Sequence, residues 1–419
     1  MERALLVTIK LKSEKDSWPI EDSARELEEL TRSSGAQVLA NISCVLDRPA
    51  ADFFIGKGKA EEIASISYEE NAEVVIFSHE LSGTQQRNLE GIINRKTIDR
   101  TQLILDIFAR HAKTPEGKAQ VELAQLQYLM PRLIGKGILL SRLGGGIGTS
   151  GPGEKKLEVD RRRIRKHIDK LKDDLNRLKT HRQVIRSKRK EGNLPSIVLV
   201  GYTNAGKSTL LNLLTQAGQI VQDSLFTTLD PLAKNMRLTS GENVVVSDTV
   251  GFLHHLPHHL IEAFKATLEE VQEADLLIHV LDASNTQIYE QNKAVIVVLK
   301  ELGAQEKPMI TALNKIDLID DKTWLQMLER EFKDTVAISA QSGQNIDQLL
   351  KKIEEYFAST MKPLKIIIPA SRMDLVNLLY QQGRVEKIDY TDKGIKIEVV
   401  LPKIIADKLL KNKEISNLD

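Results

Sequence analysis

Cysteine, aromatic rings and long apolar runs are all scarce in this chain of 419 residues. Its single cysteine, Cys44, excludes an intramolecular disulfide and any Cys-based zinc site, and fits a reducing cytosol, so a cytoplasmic location is expected. An aromatic content of 4% disfavours a binder built on rows of stacking rings. No apolar run approaches the ~20 residues of a membrane span. The opening MERALLVTIKLKSEKDSW is soon broken by charges and reads as a first strand, not a signal peptide. Net charge is nearly absent too: 59 Lys+Arg stand against 58 Asp+Glu, for +1. At face value that argues against a strongly basic nucleic-acid binder.

The rest is an ordinary globular mixture, 41% hydrophobic and 28% charged, long enough for roughly two to four domains. The near-zero charge is a cancellation. Residues 1–153 carry −2, residues 154–191 carry +9, residues 192–359 carry −9 and residues 360–419 carry +3. No internal repeat is present.

Four units follow. Residues 1–112 alternate short strand-like and helix-like pieces, as a small α/β domain does. Residues 113–193 read as a helical hairpin around a glycine-rich loop at 144–153, GGGIGTSGPG. Its first arm is expected over 117–134, ended or kinked by Pro131. In its second arm Leu157, Ile164, Ile168, Leu171, Leu175, Leu178 and Ile185 form a heptad seam that the first arm should cover. Residues 194–359 place short continuous apolar runs between helices, the pattern of a mostly parallel sheet covered on both faces. Residues 360–419 show a β-α-β-β-α order that suits a small α+β domain of the ferredoxin-like kind.

The strongest chemical signal is Gly201-Tyr202-Thr203-Asn204-Ala205-Gly206-Lys207-Ser208-Thr209, after the apolar run Ile197–Val200 and before an amphipathic helix. It fits G-x-x-x-x-G-K-[ST], in which backbone N–H groups and a helix N-terminus cradle phosphates. Lys207 is placed to bridge β- and γ-phosphate oxygens, and Ser208 to hold Mg²⁺. Asp248-Thr249-Val250-Gly251 follows another strand-like run: Asp248 suits a water-mediated Mg²⁺ contact, and the Gly251 N–H suits γ-phosphate sensing. Asn314-Lys315-Ile316-Asp317 and Ser339-Ala340 each end a further run. A carboxylate at Asp317 can accept N1–H and N2–H of guanine, both of which adenine lacks, so GTP and GDP are the expected ligands.

This set, in this order, resembles the translation-factor-type GTPases, and more fully the HflX family. The matching stretches are GYTNAGKSTL (201–210), LFTTLDP (225–231), DTVGFLHHLPHHL (248–260) and NKID (314–317). Outside them FIGKGKAEEI (54–63), GKAQVELAQLQYLMPRL (117–133) and GGGIGTSGPGEKKLEVDRRRI (144–164) match as well. Members of that family usually read GPGETQLE where this chain reads GPGEKKLE, so Lys155 and Lys156 add positive charge here. The resemblance implies that Thr228 ligates Mg²⁺ in the GTP state, with Thr227 a neighbouring rival, and that Phe226, Leu229 and Asp230 line the same segment. It also implies binding to the large (50S) ribosomal subunit, with splitting or rescue of stalled 70S ribosomes.

Three positions leave alternatives open. Phe252 stands where Ras-like enzymes carry a water-positioning glutamine, so slow intrinsic hydrolysis is expected, with help from another group or a partner. Asn204 either supports a K⁺ ion or only caps the loop through backbone hydrogen bonds. His254, His255, His258 and His259 suit a switch surface better than a metal cluster.

Arg161, Arg162, Arg163, Arg165 and Lys166 crowd nearly two helical turns. Such a face is either a solvated coiled-coil surface or a phosphate-contacting one, and the +9 of its segment favours RNA. Two main function classes result: a GTP-switched factor expected to act on ribosomes as a monomer in contact with rRNA and ribosomal protein, and a GTP- or ATP-dependent rRNA remodelling or assembly factor. A metabolic NTPase is a third.

Overall fold

A computed structural model describes residues 1–13, 18–132, 152–191, 194–215, 232–239, 241, 243–253, 265–391, 394–410 and 416–417. Phe226, Thr227, Thr228, Leu229, Asp230, the four histidines at 254–259 and most of the 144–153 loop lie outside these residues.

Four parallel strands form the first sheet: β1 (Arg3–Leu11), β2 (Gln37–Leu46), β3 (Val74–Phe77) and β4 (Lys96–Asp99), in the order β2-β1-β3-β4. The unbroken run LLVTI in β1 is buried on both faces, as an inner parallel strand requires. Helix α1 (Ile20–Ser33) carries Glu21 and Asp22 in its first turn, where acids complement the helix dipole, and buries Leu27 and Leu30. Helices α2 (Lys57–Glu69), α3 (Gly83–Ile93) and α4 (Arg100–His111) complete this unit. The Gly56-Lys57-Gly58-Lys59 run only opens α2, with Gly56 as its N-cap.

The hairpin arms are α5 (Pro115–Arg132) and α6 (Pro152–Glu191), the latter 40 residues long and therefore roughly 60 Å. Leu123 of α5 packs on Ile168 and Leu171 of α6, with Ile164 and Leu175 beside them. At one position the heptad expectation needs correction: Leu178 is 37% exposed, so among the described residues the covered seam runs from Ile164 to Leu175, and the side chains of Leu157 and Ile185 lie outside those residues. A polar pair takes over the contact, Arg182 Nη2 lying 2.9 Å from Glu116 Oε1. Pro131 lies within α5, next to its last described residue, and has no N–H to donate to the carbonyl four residues back. The neighbouring Arg132 fixes the base of the hairpin: its Nη2 donates to the Leu81 carbonyl at 2.6 Å and to the buried Asp99 carboxylate at 3.1 Å.

The second sheet has strands β5 (Ser196–Gly201), β6 (Leu232–Arg237), β7 (Asn243–Asp248), β8 (Leu276–Asp282), β9 (Met309–Asn314) and β10 (Thr335–Ala337), ordered β10-β9-β8-β5-β7-β6. Only the β6–β7 pairing is antiparallel. Around it stand α7 (Lys207–Thr215), α8 (Lys265–Glu273), α9 (Ile288–Glu301), α10 (Lys322–Glu331) and α11 (Ile346–Thr360).

The third sheet comprises β11 (Met361–Ile368), β12 (Arg384–Thr391), β13 (Gly394–Pro402) and β14 (Ser416–Asn417), all antiparallel, ordered β12-β13-β11-β14. With α12 (Met373–Gln382) and α13 (Lys403–Leu410) it completes the ferredoxin-like arrangement.

One apolar cluster crosses from the first unit to the second sheet. Leu27, Phe108 and Tyr128 share it with Tyr202, Phe252 and Leu268. The amino-terminal unit and the hairpin base are therefore packed onto the phosphate-loop side of the second sheet, not merely strung before it.

Candidate functional site

Four expected stretches meet at the carboxyl edge of the second sheet, where ligands bind in open α/β folds. Gly201 ends β5, Asp248 ends β7, Asn314 ends β9, and Ser339-Ala340 follow β10. Loop 201–206 leads directly into α7, so the N-terminus of that helix opens on the loop. Asn204 sits at the loop tip, exposed, with φ +59°.

Lys207 is almost wholly buried, and its Nζ donates to the carbonyls of Tyr202 at 2.7 Å and Gly201 at 3.1 Å. Burial pulls its pKa down to about 8, against the opposing pull of Asp248. His279, on β8, is buried as well; burial first and the Lys207 charge second push it down to about 3, so its ring is neutral at ordinary pH. Among the described residues, Lys207 is therefore the buried cation of the site and His279 is not a second.

Ser208 Oγ donates to Asp248 Oδ2 at 2.6 Å. Two hard oxygen donors this close suit Mg²⁺, which takes oxygen ligands and few others. The Thr249 hydroxyl instead donates to the Leu199 carbonyl at 2.8 Å, tying the Asp248 strand end to β5.

The segment after Asp248 lies against the loop. Thr203 N–H donates to the Phe252 carbonyl at 2.9 Å, and Phe252 N–H to the Gly201 carbonyl at 3.1 Å. Gly251 is pressed so close that an added Cβ would lie 2.8 Å from Thr203 Cα and 3.1 Å from Lys207 Nζ. Val250 and the Phe252 ring are buried in the shared apolar cluster.

Asn314 braces two loops. Its Nδ2 donates to the Ala205 carbonyl at 2.8 Å, and its Oδ1 accepts from Ala340 N–H at 2.9 Å. Asn314 thereby ties the 201–206 loop to the loop that follows β10. Lys315 takes a left-handed conformation, φ +65°, and its Nζ lies 2.8 Å from Asp282 Oδ2. Ile316 is buried, while Asp317, in the short 3-10 turn Ile316–Leu318, is exposed beside it and free of the core. Ser339 Oγ accepts from Ser342 N–H at 3.1 Å, shaping the last loop; Thr209 lies in the first turn of α7.

Sequence reasoning missed one partner of the loop. The Tyr202 hydroxyl donates to Glu26 of α1, and its ring lies 6.0 Å from Trp18. Glu26 also accepts from Arg100 Nη2 at 2.9 Å. A cavity of about 200 Å³ opens beside this contact, lined by Asp22, Glu26, Asn204, Asp282, Gln287 and Lys315 among others. No local signal could have found it, since 176 positions separate Tyr202 from Glu26.

The basic residues stand elsewhere, on α6. Arg162, Arg163, Arg165 and Lys166 are exposed and Arg161 is half-buried; the side chains of Lys155 and Lys156 lie outside the described residues.

A parallel sheet with a phosphate loop at its first strand, an Asp-x-x-Gly beside it and an Asn-Lys-x-Asp turn two strands away defines a P-loop GTPase. Four family descriptions match successive parts of the chain: GTP-binding GTPase N-terminal over 21–109, GTP-binding GTPase Middle Region over 111–189, 50S ribosome-binding GTPase over 196–315, and HflX C-terminal domain over 326–414. GTPase HflX of Caldanaerobacter subterraneus subsp. tengcongensis is 45% identical over 408 residues, covering 97% of this chain and 93% of that protein. GTPase HflX of Escherichia coli K12 is 41% identical over 412 residues, covering 98% and 96%. The chain belongs to the HflX family, and it binds and hydrolyses GTP.

Proposed function

We propose that this GTPase binds the large 50S ribosomal subunit and, in its GTP state, splits or rescues stalled 70S ribosomes. The observation that carries the reading is α6. It is a helix of roughly 60 Å whose exposed Arg162, Arg163, Arg165 and Lys166 suit phosphate backbone contact, and it packs on α5, whose Val121, Ala124 and Tyr128 share the apolar cluster of the GTPase core. Lys155, Lys156 and Arg161, earlier on the same helix, add to its positive charge. The match to a family described as 50S ribosome-binding GTPase supports the partner. Low aromatic content favours recognition of folded rRNA by shape and backbone. The four units 1–112, 113–193, 194–359 and 360–419 belong to this reading, the third holding nucleotide and the second reaching for RNA.

In the nucleotide site Lys207 holds β- and γ-phosphate oxygens. Backbone N–H groups of the 201–206 loop and of Ser208 and Thr209 surround them. Ser208 and Thr228 would hold Mg²⁺ directly and Asp248 through water, and the ion would supply charge neutralisation at the phosphates there. The Gly251 N–H reports the γ-phosphate, and Thr227, Phe226, Leu229, Asp230, Thr249 and Val250 flank the two sensing segments. Asp317 accepts from the guanine base, with Lys315, Ile316, Ser339 and Ala340 closing around it and Asn314 holding their loops. Phe252 has no group to orient water, and its buried ring supports slow unaided turnover that the ribosome accelerates. Asn204, at the exposed loop tip, either supports a K⁺ ion beside the phosphates or only caps the loop, and equal GTP turnover in potassium and sodium would leave the capping role.

Sucrose-gradient sedimentation of 70S ribosomes, with the protein and a slowly hydrolysed GTP analogue, tests this directly. Conversion to 50S and 30S, with the protein on 50S, is the expected result. Persistence of 70S with binding only to free 50S would instead favour an rRNA remodelling or assembly factor.

A further inference from the structure

The helix that follows the Gly251 loop is tied to the basic arm by an ion pair. Lys179 Nζ of α6 lies 2.8 Å from Glu269 Oε1 of α8. The Glu269 side chain is only 10% exposed. A carboxylate that deep is costly to leave without a cation, so the pair holds α6 and α8 in one relative position.

Each end of this contact leads to a functional element. Eleven residues separate Leu253 from the start of α8, and Leu268 and Val271 of α8 pack in the same cluster as Phe252 and Leu253. Gly251 is pressed onto Thr203 and Lys207 Nζ, the place a γ-phosphate takes, so admitting that group displaces the 250–253 segment within the cluster that seats α8. In the other direction, Arg162 to Lys166 stand on the same unbroken helix as Lys179, roughly 25 Å along it at ~1.5 Å per residue.

We propose that the Lys179–Glu269 ion pair couples the γ-phosphate site to the RNA-contacting arm, so that GTP repositions the arm and arm engagement alters nucleotide handling. The inference rests on the ribosomal reading above. Coupling of this kind is reciprocal for binding: GTP favours the docked arm by the same factor that docking favours GTP. Neither residue touches nucleotide; both are positioning residues.

The test uses the full chain with Glu269→Gln, Lys179→Met and the reversed pair Lys179→Glu with Glu269→Lys. Two readouts are taken in GDP and in a slowly hydrolysed GTP analogue: affinity for purified 50S subunits, and backbone hydrogen exchange over residues 170–182. Expected for the unaltered protein is tighter 50S binding and changed exchange in the analogue state. Glu269→Gln and Lys179→Met should keep basal GTP turnover within about twofold and still bind 50S, yet lose at least about fivefold of the analogue-over-GDP affinity ratio. They should also lose the exchange response, and the reversed pair should restore both. An unchanged ratio and exchange response in both single variants would overturn the coupling. So would an unaltered protein whose arm exchange ignores the nucleotide, whatever the ribosome does. An exchange response that depends on the ion pair, with no 50S binding in any state, would support the coupling and overturn the ribosomal reading instead.

Discussion

Gly206 and Asn314 leave each other no room: a methyl group on Gly206 would lie 2.2 Å from Asn314 Nδ2, the nitrogen that holds the Ala205 carbonyl. Gly206 also sits at φ +94°, a conformation that side-chain-bearing residues rarely adopt. Loop and base-side brace are thus built as one object.

Gly206→Ala should therefore break the brace before it breaks the fold. The expected loss is about a hundredfold or more in affinity for both GTP and GDP, equivalent to at least ~2.7 kcal/mol. Titration with a fluorescent GDP reads this, and a far-UV spectrum checks that the sheets persist. Wild-type affinity in the variant would refute the relationship.

Guanine nucleotide affinity should weaken as pH rises above about 8. The phosphates bind charged Lys207, whose pKa burial lowers to about 8, so the free protein progressively lacks the competent form above that value. Binding then takes up a proton, and affinity falls by up to about tenfold per pH unit while nucleotide binding restores the charge. Calorimetry in two buffers of different ionisation enthalpy counts that proton; none taken up at pH 9 would contradict the assignment.

Asp317→Asn should exchange base preference. The amide offers a donor where the carboxylate accepted from guanine N2–H, so GTP affinity drops by ~100-fold or more while xanthosine triphosphate, with a carbonyl at that position, gains. Competition between the two nucleotides for the variant gives the ratio, and a variant still preferring GTP would remove Asp317 from the base site.

Neutralising Arg162, Arg163, Arg165 and Lys166 to Gln together should flatten the salt dependence of 50S binding. If all four meet phosphates, the slope of log K against log salt falls by roughly 3 to 4. A slope that does not move would return α6 to a solvated coiled-coil face.

Asp99→Ala should cost about 2–4 kcal/mol of stability. The Asp99 side chain is 1% exposed, accepts from Leu81 N–H at 3.0 Å and Gln102 N–H at 2.9 Å, and faces Arg132. Urea unfolding of the full chain measures the loss.

The nucleotide-binding edge was legible because its parts are local. Strand, glycine turn and lysine-led helix lie within about 20 consecutive positions, and each strand end announces its own loop. Three strands were missed: β4, Lys-Thr-Ile-Asp, and β6, Leu-Ala-Lys-Asn-Met-Arg, are too polar to stand out as apolar runs, and β14 spans two residues. The heptad reading erred at Leu178 for a different reason. Apolar spacing reports which residues share a face, not what the partner helix sets opposite them, and beyond Leu178 α5 offers the carboxylate of Glu116 to Arg182 instead of an apolar side chain. The Tyr202–Glu26 and Lys179–Glu269 contacts join distant parts of the chain, and only folding brings their partners together.

The shared cluster has a practical consequence for anyone cutting this chain. Phe252, Leu268 and Val271 are covered in part by residues from α1, α4 and α5. A fragment beginning near Ser196 would present that oily patch to water, inviting self-association and precipitation. Low yield or anomalous turnover in such a fragment would then measure a stripped surface, and the intact chain is the preparation in which the nucleotide chemistry keeps its native cover.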